Sequence, residues 1–178
     1  MAFYFVVEDG TGLSNSTAFT TTQEFRDYYD LQDYDYSSLV EDQIKKYIVR
    51  ATTLINNMYM SYWKGNVVSD TQRLSWPREN CYYIDGIEID DESVPPEIKN
   101  ATIEMAYALQ SGYNLAPVNT DEGSLREEEV RVDKIEQRLK YSPSKSMYTR
   151  PTVTAVDDAL ARITGGSGSL GNLNIVRV

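Results

Sequence analysis

The side chains with the clearest capacity for chemistry are carboxylates that lie close together in the chain. Glu88, Asp90 and Asp91 could act as paired acids in a hydrolase, where one carboxyl group donates a proton and the other activates water. Acidic pairs are common, however, and nothing in the sequence places these three in a cleft. The run from Asp90 to Glu92 could bind a cation, but acids before a helix are more often solvated groups that the helix dipole favours. We expect neither a catalytic nor a metal site here.

Other catalytic chemistry requires residues that the chain lacks. It has no histidine and a single cysteine, Cys81, so it has neither the usual general base nor the commonest zinc ligand. The stretch Asp33–Ser37 begins like a calcium loop, but it lacks the required glycine and has Ile44 where a bidentate glutamate should stand. The run 166–171 matches Gly-x-Gly-x-x-Gly, yet it follows a predicted helix and only seven residues come after it. We interpret that run as a linker and expect no enzyme and no cofactor.

The composition limits the classes of partner. A net charge of −10 and a pI near 4.5 argue against a sequence-independent grip on duplex DNA, which needs clustered lysine and arginine. The length of 178 residues and the hydrophobic content of 41% fit one domain with extensions. The chain starts without a basic leader, and no stretch approaches the roughly 20 apolar residues of a membrane span. We expect a soluble protein made in the cytoplasm, with no membrane partner.

Three helices are predicted in the first two thirds of the chain. The capping patterns Thr21-x-x-Glu24 and Ser38-x-x-Glu41 each mark a helix start, and Pro95-Pro96 marks a third. Apolar residues at helical spacing follow each start. The predicted helices run from Thr21 to a stop before Asp33, from about Glu41 to Met60, and from Pro95 to about Ser111.

Between the second and third helices lies Leu74–Arg78, which contains one of two tryptophans followed by a proline. Proline restricts its predecessor to extended backbone, so a helix cannot continue through this stretch. A large ring fixed between two helices most often closes the gap between them. We therefore predict that Trp76 and Pro77 form a structural lid on the core, with Arg78 pointing outward.

Two β elements are predicted around the helices. Phe3–Val7 is a short apolar run before a turn, which favours a buried strand over an arm that pairs with a neighbour. The stretch from Cys81 to Ile89 contains Asp85-Gly86, which is typical of a tight hairpin turn with two positive φ angles. We expect this hairpin to project from the helices.

The segment after residue 118 is strongly charged. Leu125–Val132 and Ile135–Tyr141 have the partial alternation of exposed strands around Asp133-Lys134, although the pattern also fits a charged helix. Acids concentrate in the first part and bases in the second. Complementary faces of this kind could set the register between neighbouring subunits of a ring, or they could be two solvated loops. The predicted subunit-interface residues are Glu127, Glu128, Glu129, Arg138, Lys140, Lys145 and Arg150.

The C-terminal part of the chain, residues 143–178, is predicted to form an extended arm. A short helix over Thr152–Ile163 precedes a glycine- and serine-rich linker, and the chain closes with an apolar, β-prone segment. Such a segment on a tether could add as a strand to a partner, or it could be a frayed terminus. The predicted docking residues are Leu173, Ile175, Val176 and Val178. The fold class is therefore mainly α (α+β): a helical core with hairpin over residues 1–142, with short exposed strands, and an extended arm over 143–178.

The order of several motifs carries a resemblance to a known family. The motifs occur in the order Glu8–Leu13, Arg50-Ala51-Thr52, Leu74–Arg78, Asp85-Gly86, and Val94–Lys99 with Ala101-Thr102. Together they resemble the head–tail connector (adaptor) subunits of tailed phages. That family is often labelled DnaT-like single-stranded-DNA-binding. The likeness is clearest from Val6 to about Gly112 and looser as far as Tyr141.

The resemblance implies a structural protein of the virion. Members form a ring, expected here as a dodecamer, at the head–tail junction. The ring docks on the portal protein, offers a platform to a tail or neck protein, and lets genomic DNA pass without sequence-specific contact. An acidic lumen would suit that passage because it would repel phosphate.

The family label suggests a single-stranded-DNA-binding module as the alternative. Tyr62-Trp63-Lys64, Trp76-Pro77-Arg78 and the basic segment Arg138–Arg150 would then supply aromatic stacking beside cations. The acidic balance of the chain and the predicted core position of Trp76 argue against it. Salt-dependent oligonucleotide binding would distinguish this module from the adaptor.

Overall fold

The computed structural model describes residues 4–113 and 153–164, together with the backbone of four strands between them. The chain forms two compact units, one of Met1–Tyr113 with Val153–Val178 and the other of Asn114–Thr152. The mainly α fold is confirmed. No helix of the described part is long and apolar enough to cross a membrane. The helices are α1 (Thr22–Gln32), α2 (Glu41–Met58), α3 (Pro96–Gln110) and α4 (Thr154–Thr164).

The start of α1 is fixed by the predicted capping box. The Thr21 hydroxyl accepts a hydrogen bond from the Glu24 backbone N–H at 3.0 Å, and the Glu24 carboxylate accepts one from the Thr21 N–H at 2.7 Å. The helix ends at Gln32, before Asp33 as predicted, and Asp33 has a left-handed φ of 57°. The rings of Phe25 and Tyr29 stack at 4.0 Å inside the core. Local sequence therefore sets both ends of α1.

The apolar stripe predicted for α2 is confirmed, but its cap is not. Ile44, Ile48 and Ile55 are each at most 1% exposed, and the helix begins at Glu41. The residue before it is Val40, whose backbone N–H donates to the Gln43 side chain at 3.0 Å. The prediction of a Ser38 cap was wrong because Ser38 lies two residues before the N-cap position, which Val40 occupies. The helix ends at Met58, and a 3-10 turn over Met60–Tyr62 follows.

Helix α3 is buried more fully than its sequence predicts. It packs against α2, α4 and α1, and every residue from 101 to 106 is buried. The sequence indicated a single apolar stripe, yet Ile103 is 2% exposed and Ala106 is not exposed at all. The difference arises because three helices, α1, α2 and α4, pack against different sides of α3.

Trp76 lies at the centre of the connection between α2 and α3. Its side chain is fully buried, the Trp76–Pro77 peptide bond is cis, and the ring meets Trp63 edge to face at 5.8 Å. Arg78 does not point outward as predicted. Its guanidinium donates to the carbonyl oxygens of Lys64, Gly65 and Ser75 at 2.7 to 3.2 Å, and β1 (Asn66–Val67) pairs with β2 (Arg78–Glu79) beside it. The connection is thus held by main-chain contacts.

The hairpin of residues 81–89 forms with a different turn from the predicted one. Tyr82 pairs with Glu88, and the Gly86 N–H donates to the Tyr83 carbonyl at 2.9 Å. Gly86 has a φ of 82°, but Asp85 does not have a positive φ. The expectation of two positive angles was wrong because the loop needs left-handed backbone only at its glycine, as in longer hairpin loops.

The N-terminal run pairs less extensively than predicted. Of the residues described there, Val7 forms a single parallel bridge with Ala18, and the chain then turns around the buried Glu8, which is 3% exposed. The Glu8 carboxylate accepts N–H groups from Gly10, Gly12 and Leu13 at 2.9 to 3.3 Å. A charged group therefore organises this loop, which periodicity alone did not indicate.

The second unit contains paired strands, as predicted. β4 (Glu127–Val132) and β5 (Ile135–Lys140) are antiparallel, so the alternative of a charged helix is wrong. β3 (Val118–Asn119) pairs with β6 (Tyr148–Thr149). The alternation of polar and apolar residues therefore predicted these strands correctly.

Replacing Gly65 with alanine should destabilise the core by about 2 to 4 kcal/mol. Gly65 has a φ of 67°, and an added Cβ would lie 2.2 Å from the Glu79 carbonyl oxygen and 2.6 Å from Cys81 Sγ, so left-handed strain and a steric clash both arise. Gly112→Ala is the matched control, because its φ is 80° and nothing lies within 4 Å; it should cost about 1 kcal/mol. Denaturant unfolding measures both. Equal losses would contradict the role of close packing at Gly65.

Candidate interaction surface

Arg162, near the end of α4, joins three parts of the core. Its guanidinium forms ion pairs with Asp85 at 2.9 Å and with Glu97 of α3 at 3.2 Å. Its carbonyl oxygen accepts a hydrogen bond from the Ile84 N–H at 3.0 Å. The hairpin of residues 81–89 is therefore attached to α3 and α4, which limits how freely its tip can move.

Tyr83 completes this attachment. The Arg162 guanidinium carbon lies 3.9 Å from the centre of the Tyr83 ring, in the range of a cation–π contact. The Tyr83 hydroxyl donates to Glu97 at 3.0 Å. Burial, followed by this hydrogen bond, raises the pKa of Tyr83 to about 12. The Arg162 guanidinium lowers the pKa of Asp85 through its hydrogen bond, so the pair stays charged in neutral solution.

The attached hairpin presents apolar side chains to solvent. Ile84 is 65% exposed, Ile87 is 56% and Tyr82 is 50%. Single exposed apolar residues are ordinary on a protein surface, but these three lie on one hairpin that Arg162 holds in place. Their fixed positions suit contact with another protein.

The described core is strongly acidic, and most of its cations are already engaged. Residues 4–113 and 153–164 contain 20 Asp and Glu but nine Lys and Arg. Arg26 and Lys45 both pair with Glu41, and Lys99 pairs with Glu24 at 2.6 Å. Arg162 and Arg78 are held as described above. Residues 114–152 contain seven acids and seven bases, so the charge of the two segments differs sharply.

The aromatic residues proposed for stacking on DNA are mostly inside the core. Trp76 is fully buried and Trp63 is 8% exposed, and Arg78 is engaged by carbonyl oxygens. Tyr62 remains 45% exposed, beside Lys64 in the chain. A stacking platform built on the two tryptophans is therefore wrong for this fold, because their rings pack against each other.

The predicted subunit-interface residues fall in the second unit. In the β4–β5 pairing, Glu127 lies opposite Lys140 and Glu129 lies opposite Arg138. The acids and bases that suggested contact between subunits are therefore backbone neighbours within one chain. The other predicted site residues lie outside the described residues: Lys145, Arg150 and the tail residues Leu173, Ile175, Val176 and Val178.

Sequence reasoning missed the two polar centres of the core. Glu104 is 6% exposed and accepts hydrogen bonds from the hydroxyls of Tyr28 at 2.6 Å and Tyr34 at 3.3 Å. Burial, and then the Glu104 contact, raises the pKa of Tyr28. The second centre is Arg162 with Glu97 and Asp85. The partners in both are at least 65 residues apart in the chain, so no spacing rule could have found them. Within the described residues, no group of acids could hold a metal ion.

A family model described as "Putative DnaT-like ssDNA binding protein" matches residues 3–178. The chain belongs to this family. The match spans both compact units and also the glycine-rich segment and apolar end, which the resemblance seen in the sequence did not reach. The DnaT-like label is confirmed, while the description makes no mention of a head–tail adaptor. No curated protein and no solved structure matches the chain.

Replacing Arg162 with glutamine should release the hairpin and raise the pKa of Asp85 toward its ordinary value. In the folded protein the Asp85 pKa is lowered, so the stability that it adds is complete above its unfolded pKa and is lost as pH falls through the folded pKa. Carboxyl NMR titration measures the pKa. Amide exchange at Ile84 should rise about tenfold or more.

The control is Arg26→Gln, which removes a different arginine–glutamate pair on the same core. It should leave the Asp85 pKa and the Ile84 exchange rate unchanged. Unchanged exchange in the Arg162 variant would show that the hairpin is held by other contacts.

Proposed function

We propose that this chain is a structural subunit of a phage head–tail adaptor ring. The ring docks on the portal protein, joins it to a tail or neck protein, and lets DNA pass through its lumen. The supporting observation is the charge of the core, with 20 acids against nine bases. The proposal also rests on the ordered motifs of the sequence and places the protein in the virion, at the head–tail junction, after synthesis in the host cytoplasm.

The core charge favours protein contacts over a grip on phosphate. Counterion release requires lysine and arginine that are free to approach the backbone of the nucleic acid. In the core, Arg26, Lys45, Lys99, Arg78 and Arg162 are already engaged. A DNA duplex in a ring lined by such subunits would meet mainly carboxylates, and repulsion would keep it moving.

The surfaces for assembly would be the apolar hairpin and the charged strands. Ile84 and Ile87 on a hairpin held by Arg162 offer a preformed contact, which lowers the entropy lost on association. Subunits of a ring meet through two different faces. β4 and β5 carry the acids and bases that would fix orientation between such faces.

Reversing Glu127, Glu128 and Glu129 to lysine should prevent ring assembly. The measurement is the solution mass of the protein alone and mixed with its portal rings. The wild type should reach the mass of a portal-bound ring, whereas the variant should stay a monomer because its lysines would face the bases of the neighbouring subunit. The reversal also places lysines opposite Lys140 and Arg138 in the same chain, so circular dichroism and thermal unfolding of the variant must match the wild type. The matched control replaces Asp90, Asp91 and Glu92 with lysine; these three residues are exposed on the first compact unit. Both variants therefore have the same change in net charge. Ring formation by the first variant would contradict the proposed interface.

A second candidate is single-stranded-DNA binding, which the family description favours. Because the described core is so acidic, this activity would rest on residues 114–152, where acids and bases balance. The segment from Arg138 to Arg150 contains four bases, no acid and two tyrosines. Cations with interspersed aromatic rings are what non-specific strand binding uses.

The second candidate is tested by oligonucleotide binding across a salt series. Neutralising Arg138, Lys140, Lys145 and Arg150 with glutamine should reduce the slope of log affinity against log salt by about 0.7 for each lost phosphate contact. Fluorescence anisotropy with a labelled oligothymidine gives the slope. The control neutralises Lys45, Lys46 and Arg50 on α2 and should change little. Absence of binding by the wild type at low salt would remove this candidate.

A further inference from the structure

A surface groove lies between α1 and the first turns of α3. Its volume is about 320 Å³, and apolar side chains from both helices form most of its wall. Leu31 stands at its edge with 82% of its surface exposed, while Ile103 is 2% exposed. A volume of this size falls within the range of known binding pockets. Its lining includes Glu24, Asp27, Leu31, Pro96, Lys99 and Ile103.

The polar rim of the groove is acidic. Lys99 is already bound to Glu24 at 2.6 Å. Asp27 receives a hydrogen bond from Gln23 at 2.7 Å, but it has no ion pair with any described residue. An occupant with apolar side chains and one positive charge would therefore match both the wall and the rim.

The end of α4 lies near the first turn of α3. Arg162 contacts Glu97, which directly follows the groove residue Pro96. Residues 165–172 would then connect α4 to the segment from Leu173 to Val178. Eight glycine-rich residues span about 16 Å as a coil and about 26 Å when extended. The groove is therefore within reach of the last six residues of the sequence.

Those six residues have the composition that the groove requires. Four are apolar, namely Leu173, Ile175, Val176 and Val178, and Arg177 is the one charged residue. Burial of these apolar side chains in the groove would lower the free energy of the chain, because their surface would leave water. Arg177 could form an ion pair with Asp27. A tether keeps the segment at high local concentration, so modest affinity suffices.

We propose that residues 173–178 occupy the α1–α3 groove of their own chain. The occupied groove shields both the exposed Leu31 and the apolar segment from solvent. A partner that takes up the segment must compete with the groove, so release of the tail is part of binding. This inference is independent of whether the partner is a portal protein or DNA.

Cysteine cross-linking tests this arrangement in the full chain. Leu31→Cys is combined with Val176→Cys in a Cys81→Ser background, which removes the native thiol. Cys81 Sγ lies 2.9 Å from the Lys64 carbonyl oxygen, and the serine hydroxyl can still donate a hydrogen bond to that oxygen. Mild oxidation should produce an intrachain disulfide in the monomer. The matched control replaces Ile84 instead of Leu31, because Ile84 is 65% exposed and its N–H is bonded to Arg162, close to the start of the tether.

A tail that moves freely would meet the control position at least as often as the groove. We expect cross-linking at position 31 to be about tenfold faster than at position 84, and Arg177→Ala to slow it severalfold. Equal rates at the two positions would overturn the proposal. Disulfide-linked dimers at position 31 would overturn it as well, because the occupant would then be the tail of a second copy.

Discussion

The burial of α3 is the constraint on which the rest of the described core depends. Every residue from 101 to 106 is buried, so the helix needs neighbours on several sides, and α1, α2 and α4 supply them. Small residues such as Ala101 and Ala106 allow close approach of helices. The polar groups within α3 are satisfied locally: Thr102 donates to the Ile98 carbonyl at 2.8 Å, and Glu104 is covered by tyrosine hydroxyls. A buried carboxylate without these partners would be costly.

The arrangement around α3 also decides what the surface can offer. Arg162 reaches from α4 to Glu97 on α3 and to Asp85 on the hairpin, so three elements share one cation. The exposed isoleucines 84 and 87 are thereby presented on a fixed support. Five of the nine cations in residues 4–113 and 153–164 are thus held by carboxylates or carbonyl oxygens of the same chain.

Much of the secondary structure followed from local patterns. The Thr21 and Glu24 capping box, the stripe of α2 and the strands on either side of Asp133-Lys134 rest on interactions between residues close in the chain, and each was predicted. The errors have local causes too. Ser38 lies outside the first turn of α2, and the hairpin loop needs one left-handed residue, at Gly86, rather than two.

The sequence by itself determined the helical class, the element order, the acidic balance and the lack of histidine chemistry, because composition and periodicity carry that information. Tertiary structure alone decided where the charges act. Glu8 closes a loop of backbone N–H groups, and Arg162 joins α4 to a hairpin 77 residues earlier. Glu104 accepts hydrogen bonds from Tyr28 of α1 and from Tyr34, which follows that helix. Tertiary structure likewise decided the burial of both tryptophans. These contacts join distant parts of the chain, and no local spacing specifies which partners the fold will bring together.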